Sequence, residues 1–87
     1  MRAVIVFRRG TDYQRTVLDF LEDFRRMSGK KIQEIDPDSI GGQGFCETYN
    51  IVRYPTILAL TDDGKVLQKW EGLPLPRVGT VSYYAEG

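Results

Sequence analysis

Cysteine and histidine are almost missing from this chain of 87 residues, which has one cysteine and no histidine. One thiol cannot close an internal disulfide, and without histidine the usual zinc-ligand sets are not available. Packing of the apolar residues, 41% of the sequence, must therefore hold the fold together. A lone thiol also fits a reducing compartment, so we expect a cytoplasmic protein with no metal and no cofactor.

An excess of charge and a long apolar run are missing as well. Twelve acidic and twelve basic side chains cancel, whereas a nucleic-acid binder typically carries a basic excess. No apolar run approaches the roughly 18 residues that a membrane span needs. The run from Ala3 to Phe7 ends at two arginines, without the cleavage site of a signal peptide. We expect one domain over residues 1–87, with neither nucleic acid nor membrane as its partner.

The first half of the chain predicts a strand, a helix and a second strand. The continuous apolar, β-branched run from Ala3 to Phe7 is typical of a strand buried on both faces. A helix with Gly29 as its C-cap follows. Its predicted inward stripe consists of Val17, Phe20, Leu21, Phe24 and Met27. Residues 31–35 predict the second strand, reached by a right-handed crossover.

The second half predicts a short helix, a hairpin and a last helix. Residues 41–44 are rich in glycine and predict a flexible lead-in to a helix from Phe45 to Tyr49, which Asn50 ends in a left-handed conformation. Residues 56–61 and 66–71 predict two strands joined by a tight turn. Residues 76–85 contain poor helix formers, but the topology favours a helix there, and we predict one with Val78, Val81 and Ala85 facing inward.

One segment carries a more specific pattern. It reads Cys46-x-x-Tyr49-x-Ile51-x-x-x-Pro55-Thr56, followed by four aliphatic residues, an Asp-Gly-Lys turn and Gly72. This pattern resembles the second half of thioredoxins, where a cis-proline followed by threonine opens the third strand. The resemblance is specific from Phe45 to Gly72 and extends at the level of pattern over nearly the whole chain. It implies an α/β thioredoxin-like fold in the order βαβ-α-ββα, with a four-stranded mixed sheet flanked by helices.

The resemblance also implies a binding face. In the family, main-chain groups beside the cis-proline pair with an extended peptide or with glutathione, which is a form of strand addition. The residues of this chain at the corresponding face are Thr11, Asp12, Tyr13, Tyr54, Pro55 and Gly72. We therefore expect the Tyr54–Pro55 bond to be cis and the partner to be a protein or an extended peptide.

The redox centre of active thioredoxins has no counterpart in this sequence. The family's Cys-x-x-Cys positions align with Thr11 and Gln14. A threonine hydroxyl has a pKa far above that of a thiol, and a helix N-terminus contributes only about 1 kcal/mol toward ionising it. Dithiol oxidoreductase activity is not expected, and we do not expect an enzyme. The Thr-x-x-Gln spacing predicts instead a capping box, in which Thr11 and Gln14 exchange hydrogen bonds.

Two thiol-related alternatives remain. Glutathione transferases share this fold and use a hydroxyl at the start of the first helix, so Thr11 is a candidate for glutathione binding. Cys46 is the single thiol and a candidate reactive group. Its position corresponds to a small buried residue of the family, and for that reason we predict that Cys46 packs in the core.

Overall fold

The structure is a computed structural model that describes residues 1–85. Its elements are β1 Arg2–Val6, α1 Gln14–Ser28, β2 Gln33–Ile35, α2 Ile40–Thr48, β3 Thr56–Leu60, β4 Val66–Glu71 and α3 Val78–Ser82. The strands form one sheet in the order β2-β1-β3-β4. The predicted order of elements and the predicted four-stranded sheet are therefore confirmed.

The sheet is mixed, with β1 and β3 at its centre. β1 runs parallel to β2, with Val4 opposite Gln33, and antiparallel to β3, with Ile5 opposite Ile57. All five side chains of β3 are buried. A strand is buried on both faces only where other elements cover both faces. This arrangement explains the continuous apolar runs in the sequences of β1 and β3.

Alternation along the two central strands divides the core into two layers. Ile5 and Ile57 face α1 and α3, whereas Val4 and Leu58 face α2 and the segment after it. Successive side chains of a strand point to opposite faces of the sheet, so each central strand contributes to both layers. Cys46 belongs to the second layer and is only 9% exposed, as predicted for a packing residue.

The predicted stripe of α1 is confirmed except at its last position. Val17, Phe20 and Phe24 are buried, and Leu21 packs against them. Met27 is 69% exposed, so its prediction as a core residue was wrong. The buried residues stop at Phe24, and the last turn of the helix lies beyond the packed layer. Gly29 ends the helix as predicted, with φ +66° and its N–H bonded to the carbonyl of Arg25.

The start of α2 corrects the sequence-based prediction. The glycine-rich stretch at 41–44 is not a flexible lead-in, because it forms the first turns of the helix. Ser39 caps this helix by accepting a hydrogen bond from the Gly42 N–H at 2.9 Å. A Cβ at Gly42 would lie 1.7 Å from the carbonyl oxygen of Asp36. The close approach of the turn before α2 thus requires glycine here, although glycine is a poor helix former. Asn50 follows the helix with the expected positive φ of 53°.

The last helix is confirmed but shorter than predicted. α3 covers five residues, from Val78 to Ser82. Val81 and Ala85 are buried and Val78 packs against the same layer, as expected. The poor helix formers in this segment limit its length, while burial fixes its position. Within residues 1–85, no helix has both the length and the apolar character needed to cross a bilayer.

Two glycines of α2 allow a paired test of which factor decides the effect of replacing a glycine, the space around it or the helix propensity of the new residue. We predict that Gly42→Ala lowers the free energy of unfolding by about 1–3 kcal/mol, because its Cβ would overlap the carbonyl of Asp36. Gly44→Ala should raise it by about 0.5–1 kcal/mol, because the space around Gly44 is open. Urea unfolding of the two variants checks both signs. Stabilisation by Gly42→Ala would contradict the described approach of Asp36 to α2.

Candidate functional site

The loop that enters β3 is the centre of the predicted face. The Tyr54–Pro55 peptide bond in this loop is cis. Pro55 is fully buried, and its carbonyl accepts a 2.8 Å hydrogen bond from the Gly72 N–H. Thr56 closes the loop by donating its hydroxyl proton to the carbonyl of Arg53 at 2.6 Å. This hydrogen bonding brings Gly72, at the end of β4, directly beside the Pro55 loop.

Gly72 is constrained by its backbone. Its φ is +71°, where a side chain is strained, and the Arg53 guanidinium lies 3.8 Å from the position of an added Cβ. The Leu73–Pro74 peptide bond, just after Gly72, is also cis. This bond was not predicted from the sequence. Gly72 therefore lets the chain turn sharply beside the loop while its N–H stays bonded to Pro55.

The main chain of Tyr54 makes no hydrogen bond in this loop. Within residues 1–85, neither its N–H nor its carbonyl has a hydrogen-bond partner, although both neighbours, Arg53 and Pro55, use their carbonyls. Most main-chain polar groups in folded proteins are paired with protein or with water. Tyr54 thus leaves one donor and one acceptor unpaired just before β3.

Arg8 connects this loop to the start of α1. Its main-chain N–H donates to the Tyr13 hydroxyl at 3.0 Å, and its carbonyl accepts from the Thr11 hydroxyl at 3.0 Å. Its guanidinium carbon lies 4.7 Å from the centre of the Tyr54 ring. Its Nε also pairs with Asp38 at 3.2 Å. Three of the predicted site residues, Thr11, Tyr13 and Tyr54, therefore meet at one arginine.

The sequence did not identify Arg8 and Asp38 as site residues. Arg8 follows β1 as one of two adjacent arginines, and such a pair is usually a solvated surface feature. Asp38 lies in the turn before α2, thirty residues away in the chain. Only the parallel pairing of β1 with β2 brings these two segments together. The one local signal was the position of Arg8 immediately after a buried strand, where functional loops are common.

The Tyr54 hydroxyl lies in a partly desolvated environment beside the Cys46 thiol. Desolvation raises the pKa of Tyr54, and the neighbouring Cys46 raises this pKa further, while the Arg8 guanidinium acts in the opposite direction. The phenol therefore stays protonated at neutral pH. Tyr54 supplies the site with a ring face, a neutral hydroxyl and an open main chain, and it supplies no charge.

The predicted capping box does not form. Tyr13 is the N-cap of α1 and makes no side-chain capping bond. The Thr11 hydroxyl donates to Arg8, and the Gln14 side chain accepts from the N–H of Gly10, one residue earlier than predicted. The helix begins later than the Thr-x-x-Gln spacing implies, because residues 11–13 form a turn against Arg8.

Asp12 is the one predicted residue that the structure leaves apart from the others. It is exposed, and within residues 1–85 its carboxylate makes no hydrogen bond or ion pair. Its neighbours in the turn, Thr11 and Tyr13, both contact Arg8. Asp12 therefore lies on the rim of the face, where it adds a negative charge and no fixed contact.

A groove of about 460 Å³ lies elsewhere in the fold. It runs between the second half of α1 and the start of β2 and is lined by residues such as Leu21, Arg25, Lys31 and Ile32. None of the six predicted site residues lines it. The groove is therefore a location separate from the residues around Tyr54, against which binding at those residues can be judged.

Comparison with known proteins identifies the fold. The chain is similar in structure to thioredoxin 1 from Thermosipho africanus, with a TM-score of 0.66 and 12% identity over 97% of this chain and 89% of that one. It is also similar to a malarial protein of solved structure, with a TM-score of 0.62 and 14% identity over 83% of this chain and 80% of that one. No family model and no curated protein sequence matches. The chain has a thioredoxin-like fold.

Proposed function

We propose that this thioredoxin-like domain is redox-inactive and binds an extended segment of a protein or peptide in the cytoplasm. The binding surface is the Tyr54 face, by which we mean Arg8, Thr11, Asp12, Tyr13, Tyr54, Pro55 and Gly72. The observation that carries the proposal is the unpaired main chain of Tyr54, whose ring lies against Arg8 and whose neighbour Pro55 is bonded to Gly72.

An extended chain is the ligand that such a face fits best. A peptide in β conformation offers alternating N–H and carbonyl groups, and pairing with a free main chain gives affinity without a deep pocket. Tyr54 supplies one donor and one acceptor for that pairing. The ring of Tyr54 and the exposed side chain of Leu73, 53% exposed, provide apolar contact next to it. Aromatic groups in such positions often dominate binding energy.

The charges around the face favour a partner with acidic groups. Arg53 is exposed beside Gly72, and within residues 1–85 it makes no ion pair. The Arg8 guanidinium is paired with Asp38 through Nε, and the two side chains are 46% and 64% exposed. Surface pairs of this kind contribute little to stability, so a carboxylate of a ligand would compete with Asp38 at small cost.

The residue types at the site support the absence of dithiol chemistry. Thiol–disulfide exchange needs an attacking thiolate and a second thiol that resolves the mixed disulfide. The two positions at the start of α1 carry Thr11 and Gln14, and both side chains are bonded to the neighbouring main chain. Cys46 is buried on the α2 side of the sheet. The orientation of the Thr11 proton toward Arg8 likewise gives no support to glutathione binding at that hydroxyl.

We predict that an extended peptide perturbs the Tyr54 face and nothing else. The probe is a decapeptide selected by phage display on the folded domain and titrated into the ¹⁵N-labelled protein. Amide shifts should concentrate at residues 11–13, 53–54 and 72–73, because the peptide adds a strand there. Single N-methylation along the peptide is the control. It should abolish binding at the one position whose N–H pairs with the Tyr54 carbonyl and leave binding intact at the positions next to it, since neighbouring N–H groups of a strand face opposite sides.

Two results would contradict this proposal. The first is a set of shifts confined to the groove between α1 and β2. The second is binding that tolerates N-methylation at every position of the peptide, since the main chain of Tyr54 would then have no role.

We also predict that the domain leaves the reduction of insulin by dithiothreitol at the uncatalysed rate. The control is Cys46→Ala, which should behave the same, because the single thiol is 9% exposed and has no partner thiol. Iodoacetamide should label Cys46 at least about tenfold faster in urea than in the folded protein. Catalysis that disappears in Cys46→Ala would show that this thiol is the nucleophile and would contradict redox inactivity.

A further inference from the structure

β4 is an outer strand of the sheet, and its second edge is open. Within residues 1–85 no other strand pairs with that edge. Val66 is 47% exposed and Leu67 is 41% exposed, both near the start of the strand. An open edge with exposed apolar residues is a template for pairing with another chain unless something blocks it.

The pairing with β3 determines which residues of β4 offer their main chain outward. Gly72 donates its N–H to the carbonyl of Pro55. Two residues from this pair on each chain segment, Trp70 lies opposite Ile57. In an antiparallel pair, hydrogen-bonded residues alternate with residues whose main chain faces away. Trp70 and Gly72 therefore face β3. Lys69 and Glu71 direct their N–H and carbonyl groups to the open edge.

Lys69 and Glu71 carry opposite charges, and contacts within the chain already hold their side chains in place. The Lys69 ammonium bonds to the carbonyls of Tyr49 and Asn50 at the end of α2, at 3.3 and 3.2 Å. The same ammonium lies 3.4 Å from the Glu71 carboxylate. A lysine held in place loses less conformational entropy on pairing than a free one. A lone lysine on an edge strand normally blocks pairing, but here a carboxylate lies beside it.

The charges select one register for a second copy of the same strand. An antiparallel pair centred on Trp70 places Lys69 of each copy opposite Glu71 of the other and allows four main-chain hydrogen bonds between them. Shifting the centre to Lys69 would place that lysine opposite its own copy, and like charges directly opposite destabilise a sheet.

We propose that two copies of this chain associate through antiparallel pairing of their β4 edges, centred on Trp70, to form a continuous eight-stranded sheet. The interface is isologous, because each copy contributes the same strand to a two-fold axis. Its small area belongs to the weak class of protein contacts. The association is independent of the Tyr54 face, because its hydrogen bonds come from β4.

A charge-swap experiment tests this pairing. Sedimentation velocity from about 10 µM to about 1 mM should show a concentration-dependent dimer for the wild type. Glu71→Lys alone and Lys69→Glu alone should each raise the dissociation constant at least tenfold, because like charges then lie opposite each other. A mixture of these two variants should restore the dimer, because each copy then meets its opposite charge at both positions. Lys65→Glu, a reversal in the hairpin turn, is the matched control and should leave the constant within twofold.

Three outcomes would overturn the proposal. They are a wild type that stays monomeric over the whole range, a folded Glu71→Lys with an unchanged dissociation constant, and two variants whose mixture does not associate. Thermal unfolding of each variant verifies that it is folded. Because Lys69 also contacts α2, Glu71→Lys alone decides the question if Lys69→Glu does not fold. A monomer here would leave peptide binding at the Tyr54 face unaffected, so the two proposals fail separately.

Discussion

The contacts of Arg8 are the constraint on which the candidate site depends. Its main chain fixes the turn at Thr11 and Tyr13, and its side chain lies against the ring of Tyr54 and pairs with Asp38. Three segments distant in sequence, residues 8–13, the turn at Asp38 and the loop at Tyr54, thus meet at one residue that follows a buried strand. An exposed ion pair and a cation–π contact are individually weak. Their effect is positional, since together with the main-chain bonds they hold the start of α1 beside the loop before β3.

The sheet makes this arrangement possible without a disulfide inside the chain. All five residues of β3 are buried, and so are Ala3–Val6 of β1 beside it and Phe7, which follows β1. β1 places Arg8 at the same end of the sheet as Tyr54, because β3 runs antiparallel to it and begins where β1 ends. The residues of the site therefore lie together because β1 and β3 run in opposite directions. The thioredoxin-like fold supplies the adjacency, while the two residues at the start of α1, Thr11 and Gln14, carry no thiol.

Much of the fold could be predicted from the sequence, because its signals are periodic or local. The apolar runs of β1 and β3, the stripe of α1 and the turn before β4 each follow from burial or turn chemistry. The start of α2 could not be predicted in this way. Glycines usually indicate flexibility, and only the approach of the Asp36 carbonyl shows why Gly42 lies within a helix.

The candidate site was predictable only in part, for a related reason. Pro55 and Gly72 stand out locally, and the structure joins them by a hydrogen bond. The capping box was wrong because Arg8 competes for the Thr11 hydroxyl and Gly10 for the Gln14 side chain. Arg8 and Asp38 are ordinary surface residues until strand pairing brings their segments together. Contacts between distant segments depend on the whole fold, and no local pattern encodes them.

The central role of Arg8 can be measured most directly by comparing Arg8→Gln with Arg9→Gln by NMR. Arg9 is a matched control, because it also follows β1, pairs with an acid at 3.3 Å and lies over an aromatic ring. The account predicts that Arg8→Gln shifts the resonances of Tyr54 and Asp38 while those of Ile57–Leu60 stay in place, and that Arg9→Gln leaves Tyr54 unchanged. Tyr54 and Asp38 resonances that do not respond to Arg8→Gln, or respond equally to Arg9→Gln, would contradict it.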